Sequence, residues 1–329
     1  MVTDIAAMRL NAVKFHLLLN VDSYMQKNHP LKEKTKKWIF TKEQWKQIIE
    51  YANQNGLDVI ALCDDVESVR FLIDDSINVN SIEIHASGLN DIFLLKALEG
   101  FKKRVILGVG GSEIHEIHSA IKELHGIGIN DILLMYGFQS YPTDYKQINL
   151  AKMILFQRIF NLPIGYADHT AFDDPHNAFI SVLAAAMGFN ILEKHYTPEF
   201  GKERIDYHAA VGMDVMKKIQ DLMTIALSVY GSETLDMSIA EKNYGNVGPM
   251  KKAIVARRNI KAGEILKEED MWFKRTAEES FMSQLDIKKL VNLQASKDLA
   301  EDEVIDFSKV KYQFKKVDAS SFINIREKK

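Results

Sequence analysis

From the start of the chain to about Gly231, short apolar runs alternate with longer amphipathic segments. The runs are NAVKFHLL from Asn11, LDVIALC from Leu57, SIEIHAS from Ser81, RVILGVG from Arg104, DILLMYG from Asp131, PIGYADH from Pro163 and NILEKHY from Asn190. They are bounded by Gly, Asn and Asp and are apolar more than alternating, as strands buried on both faces should be. Between them lie helical patterns with legible ends. Thr41 precedes EQWKQIIEYANQNG and Gly56 stops it, Ser112 opens SEIHEIHSAIKELHGIG, and Asp174 with Pro175 opens PHNAFISVLAAAMG, which Gly188 ends. Strands alternating with helices predict a parallel sheet, either a barrel or doubly wound. No GxGxxG or GxxxxGK[ST] loop follows any strand. GVGGSE at 108–113 lacks the third glycine and the lysine, which favours the barrel. The strand count falls one short of a closed (β/α) barrel, so the first strand is expected to be missing before Met1.

After Gly231 the pattern changes. SETLDMSIAEKNYGNVGP reads as a linker, followed by short apolar pieces punctuated by turns: AIVARRNIKAGEIL, DMWFKR and VNLQASKDL. The predicted organisation is a barrel domain over 1–231, a linker over 232–250, a small β-rich module over 251–311 and a tail over 312–329. Composition changes little in this picture. Hydrophobic residues make up 47% and charged residues 26%, ordinary for a globular chain, and a net charge of -3 supplies no attraction for nucleic acid or an anionic membrane. The single cysteine, Cys63, rules out an internal disulfide and reads as buried filler. The N-terminus lacks a basic, apolar signal segment, and no run is long enough to span a bilayer, so a cytoplasmic location is expected.

In a parallel barrel, reactive groups sit where strands end. The strand ends offer Lys14 and His16, Asp64 and Asp65, Ser87, Tyr141, Asp168 with His169, and Glu193 with His195. His169 and His195 close consecutive strands and would share one rim, where neutral imidazoles suit a divalent transition ion. Each could equally cap its strand end through a hydrogen bond. Asp206 lies in the polar loop YTPEFGKERID, either as a proton-handling carboxylate or as a solvated loop residue. His115 and His118, three apart on one helix, read as part of a solvated face. Tyr141 in QSYPT is held by the following proline and is either a ligand contact or a packing residue.

YGFQSYPTDYKQINLAKM, IGYADHT and ILEKHYTPEFGKERID, with NAVKF, FTKEQWKQIIEYANQNG, DDVESVRFL and ASGLNDIFLLKAL, are similar to signature stretches of the sialic acid synthase family. ARRNIKAGEILKEEDMWFKR resembles that family's C-terminal antifreeze-like (SAF) domain. The resemblance spans about residues 7–310. It implies a TIM-type barrel followed by an SAF domain, and a transferase of sialic acid biosynthesis that condenses phosphoenolpyruvate with an N-acyl amino sugar in its aldehyde form. It further implies a divalent ion, manganese or magnesium, on His169 and His195, with Asp206 and Tyr141 on the sugar side as catalytic residues. Lys14 and Ser87 would hold phosphoenolpyruvate, Gln139 stands at a substrate-binding position, and Arg275 would be offered to the neighbouring subunit of a domain-swapped homodimer. The alternative is a catalytically degenerate paralogue that binds sugar or metal, or serves as a partner subunit. A lysine Schiff base on Lys14 is a third possibility. Departures from the family pattern favour the degenerate form: Ile84 where a phosphate-binding lysine is expected, Leu89 for the catalytic glutamate, Gly108-Val109-Gly110 for S-T-G, and Leu62, Gln139 and Ala167 for hydroxyl or amide residues. The initial E-I-G-x-N-H-N-G-like strand is also missing.

Overall fold

The computed structural model describes residues 1–140, 143–246, 250–278, 280 and 282–312. The chain divides into two compact units, 1–232 and 233–329. The first is built on seven parallel strands hydrogen-bonded in sequence order: β1 (Ala12–Leu17), β2 (Asp58–Cys63), β3 (Ser81–Ile84), β4 (Arg104–Gly108), β5 (Ile132–Tyr136), β6 (Ile164–Asp168) and β7 (Leu192–Lys194). All seven expected strands are present. The principal helices are α1 (Val2–Ala7), α2 (Lys42–Gln54), α3 (Val66–Asp74), α4 (Ile92–Ala97), α5 (Ile114–Gly126), α6 (Ala151–Phe160), α7 (Asn177–Ala186) and α8 (Met213–Tyr230).

Local chemistry sets the helix ends. The Thr41 side chain accepts from Gln44 N–H and the Gln44 side chain accepts from Thr41 N–H, a capping box that starts α2. Two starts differ from the expectation. Glu113, not Ser112, is the N-cap of α5, because the Glu116 carboxylate takes the Glu113 amide. α7 begins at Asn177, since Asp174 spends its carboxylate on the His176 amide in a turn ahead of the helix.

Strand periodicity sorts side chains between two layers. Val13, Phe15, Leu17, Val59, Ala61, Cys63, Ile82, Ile84, Val105, Leu107, Ile132, Leu134, Ile164 and Tyr166 pack outward into the core shared with the helices. The alternate positions face the concave interior. Ile60, Ile106, Leu133, Met135, Ala167 and Ile191 form a small apolar plug there. This plug fills the inside of the curled sheet, so the interior is a packed core with a polar cup above it at the C-terminal strand ends.

The second unit carries two antiparallel pairs, β8 (Ala253–Ala256) with β9 (Met271–Lys274) and β10 (Gln294–Ala295) with β11 (Val310–Lys311). They enclose their own core around Ile254, Ile260, Leu266, Leu290, Leu299 and Ile305.

Candidate active site

The cup at the strand ends is lined by Lys14 and His16 from β1, Leu62 from β2, Glu83 and His85 from β3, Gly108 and Gly110 from β4, Met135, Gly137, Phe138 and Gln139 after β5, Ala167 and His169 from β6, and Glu193 and His195 from β7. Three strand ends meet there with almost no space between their backbones. A Cβ on Gly110 would lie 1.7 Å from the Gly137 carbonyl oxygen, and one on Gly137, whose φ is 150°, would lie 2.1 Å from that of Ala167. The glycine run read as a weak phosphate loop is thus a packing requirement.

His169 and His195 do meet: their ring centroids are 5.3 Å apart. Burial pushes the His169 imidazole down to about 4, with His195 adding to the fall. Burial also lowers His195, against the pull of Asp206 and Glu193. Both rings are therefore neutral at pH 7 and keep lone pairs for a ligand. His195 Nε2 is buried without a hydrogen-bond partner, the condition of an atom awaiting a donor or a cation. Among the described residues, no group of three or more His, Cys, Asp and Glu is arranged to hold a metal. The protein thus offers two imidazoles, and the rest of a shell would come from water or substrate.

Lys14 bridges the two edge strands of the sheet. Its Nζ lies 3.0 Å from Glu83 Oε1 and 2.5 Å from Glu193 Oε1. Burial alone would lower its pKa, but the two carboxylates outweigh that and raise it. The amine stays an ammonium, which removes the basis for Schiff-base chemistry. Burial raises Glu83 despite Lys14, whereas the lysine and the neighbouring imidazoles hold Glu193 low against its burial. His16 is pushed down to about 4 by burial and Lys14.

The remaining expected residues are distributed as follows. Gln139 lines the cup. Asp206 has left-handed backbone, φ 57°, and its charge acts on His16, His85 and His195. Ser87 is exposed on the short turn after β3, its hydroxyl 2.9 Å from His85 Nδ1. Tyr141 lies outside the described residues. Arg275 belongs to the second unit, where its guanidinium lies 3.4 Å from Met250 sulfur. Asp168 points away from the cup: it accepts from Lys194, Ser181 and Thr170 behind the sheet. Asp65 is a cap, accepting from the Leu19 and Ser68 amides and the Ser68 hydroxyl. His115 is exposed beside Glu113.

Ile84 is a correction. Its side chain faces the helices, fully buried, so it does not stand in a phosphate site; β3 offers the cup Glu83 and His85 instead. The sequence carries a signal for this, because S-I-E-I-H alternates polar and apolar residues.

Asp64, at the end of β2, is pushed up to about 7 by burial and by Asp65, with Lys14 opposing. Its folded value exceeds the ordinary 3.8, so the native state binds the extra proton and loses stability as pH rises from about 4 to 7. Asp64→Asn is expected to remove that loss, worth up to about 4 kcal/mol. Thermal melts at pH 5 and pH 8 check it: the native melting point should fall more between them than the variant's, and equal falls would refute the assignment.

A parallel α/β sheet curled as in a (β/α) barrel, with an imidazole pair at its C-terminal rim, places the first unit in the barrel fold class. Comparison with known proteins narrows this. Residues 3–234 match the NeuB family and residues 251–311 match the SAF domain, so the chain belongs to the NeuB family. It is 29% identical over 295 residues to an uncharacterized protein of Methanocaldococcus jannaschii, covering 90% of this chain and 84% of the relative. It is 26% identical to N,N'-diacetyllegionaminic acid synthase of Campylobacter jejuni, covering 79% and 75%. The crystal structure of N-acetylneuraminic acid (sialic acid) synthetase from Leptospira borgpetersenii, in complex with citrate, shares the fold with a TM-score of 0.67 at 24% identity, covering 74% of this chain and 82% of that one. No helix among the described residues is long and apolar enough to cross a membrane.

Proposed function

We propose that the chain condenses phosphoenolpyruvate with the open-chain aldehyde of an N-acyl amino sugar, giving a sialic-type nonulosonic acid and phosphate. The observation that carries the reading is the pair of neutral imidazoles, buried His169 and half-buried His195, at the rim of a family barrel. A divalent ion held by these two residues would act as a Lewis acid on the aldehyde. Asp206, whose charge acts on His195, would take a hydrogen bond from a sugar hydroxyl and fix the aldehyde's orientation. Gln139 offers an amide to the same ligand. Lys14 is the one lysine or arginine among the described lining residues and is the group available to a phosphate. Asp206 and Tyr141 are assigned to the sugar side, Ser87 with Lys14 to phosphoenolpyruvate, and Arg275 to the active site of the neighbouring subunit of a homodimer.

A second reading is favoured by one observation. Lys14 is held by two carboxylates, which weakens any phosphate site and fits a paralogue that binds sugar or metal without turnover. The two readings separate in one assay. Phosphate release from phosphoenolpyruvate that requires both N-acetylmannosamine and manganese supports the synthase. Manganese and sugar binding with no phosphate release supports the paralogue.

A further inference from the structure

Lys14 is engaged by Glu83 and Glu193, so an anionic ligand in the cup gains from a further donor on the wall. β3 supplies one that the reading above leaves unused. His85 follows that strand on the same face as Glu83, about 6.6 Å nearer the mouth, because alternate residues share a face. Its ring is held by its own turn. The Ser87 amide donates to His85 Nδ1 at 3.2 Å, and the Ser87 hydroxyl lies 2.9 Å from the same nitrogen. A ring nitrogen that accepts a backbone N–H carries no proton, so the imidazole proton sits on Nε2. Among the described residues the ring has no hydrogen-bond partner besides Ser87, which leaves Nε2–H to a ligand. The backbone is fixed as well. A Cβ on Gly108 would lie 2.8 Å from Ala86 N and 3.4 Å from the His85 carbonyl carbon, so β4 presses against this turn only because residue 108 is glycine. Tautomer and position are both set before a ligand arrives.

We propose that His85 is a ligand-binding residue of this pocket, donating its Nε2–H to an anionic oxygen of the substrate, phosphate or carboxylate, and that Ser87 acts through it as a positioning residue. The inference deepens the reading above, since it rests on the cup being the substrate site. Ser87 then serves phosphoenolpyruvate by holding the imidazole, its hydroxyl being spent on Nδ1.

The test is calorimetric titration of the full chain with inorganic phosphate, pyruvate, phosphoenolpyruvate and N-acetylmannosamine, each alone. His85→Phe keeps a flat ring and loses the donor. It is expected to weaken phosphoenolpyruvate binding about tenfold or more, the scale of a hydrogen bond to a charged group. Phosphate weakened alongside places the phosphoryl group at His85, and pyruvate weakened instead places the carboxylate there. His85→Gln, whose amide N–H replaces Nε2–H, should stay within about threefold of the native protein. Ser87→Ala should weaken the same ligand in the native background and change nothing further in His85→Phe. The proposal is overturned by a His85→Phe loss below about threefold, by an equal loss for the neutral sugar, or by a His85→Gln loss equal to that of His85→Phe. It is also overturned by a Ser87→Ala effect undiminished in His85→Phe, or by a native protein that binds neither phosphate nor phosphoenolpyruvate. Should His85→Phe fail to fold by circular dichroism, His85→Ala is judged by the same criteria. Binding is read without turnover. A protein whose phosphoenolpyruvate affinity depends on His85, but which never releases phosphate from it, therefore sinks the synthase reading and leaves the His85 assignment standing.

Discussion

Replacing His195 by alanine is expected to weaken manganese binding by about 100-fold or more, the scale on which even outer-shell changes cost 10–100-fold in metal sites. The structural argument is the pairing. His169 and His195 close neighbouring strands, so their rings meet across one inter-strand spacing with centroids 5.3 Å apart. Both positions face the interior, because Ala167 and His169 share one parity on β6, as Glu193 and His195 do on β7. Removing either ring leaves a single imidazole, too little to hold a cation against water. His169→Ala should therefore have nearly the full effect of His195→Ala, and the double variant should add little. Calorimetry on the three variants checks this. A His195→Ala protein that binds manganese as the native one does would remove the metal from the mechanism.

Lys194→Met is the second large expectation, and it concerns stability. Lys194 and Asp168 form an ion pair of 2.6 Å behind the sheet, with side chains 2% and 0% exposed. Asp168 also accepts from the hydroxyls of Tyr166, Thr170 and Ser181. Burial opposes the charge on Asp168, yet the lysine and these hydroxyls hold its carboxyl below the ordinary value. At Lys194 burial prevails and lowers the amine. Removing the ammonium strands a buried carboxylate, at a cost of about 3–5 kcal/mol. For a unit of this size that lowers the melting point by roughly 10 °C. The sign with pH follows from Asp168: its contribution is present above the ordinary carboxylate range and is lost as pH falls through its depressed folded value. The double variant Asp168→Asn, Lys194→Met should recover part of the loss, because no uncompensated charge remains. A Lys194→Met protein that melts with the native one would show that the pair is not needed.

The fold was legible because two local signals agree. Each of the seven apolar runs became a strand, and segments such as Thr41–Gln54 carry a full capping box and a glycine stop. The site was legible only in part. His169 and His195 were found because strand ends can be read from sequence and consecutive strands of a parallel sheet are neighbours. Glu83 and His85 were missed because β3 was aligned by motif, which put the emphasis on Ile84, whereas facing is decided by parity. Counting alternate positions from the buried Ile82 would have turned Glu83 inward. The Lys14 bridge was out of reach for a different reason. It joins strands 179 positions apart, from Lys14 to Glu193, and only curling of the sheet brings its two edges together. Asp168 stood beside His169 among the strand-end candidates, but successive residues on a strand face opposite ways.

Electron spin echo spectroscopy on the manganese-loaded protein addresses the central assignment of the rim most directly. Nitrogen couplings from two directly bound imidazoles, reduced to one in His169→Ala, are the predicted result. A spectrum carrying only water protons, or two nitrogen couplings that persist in His169→Ala, would contradict it.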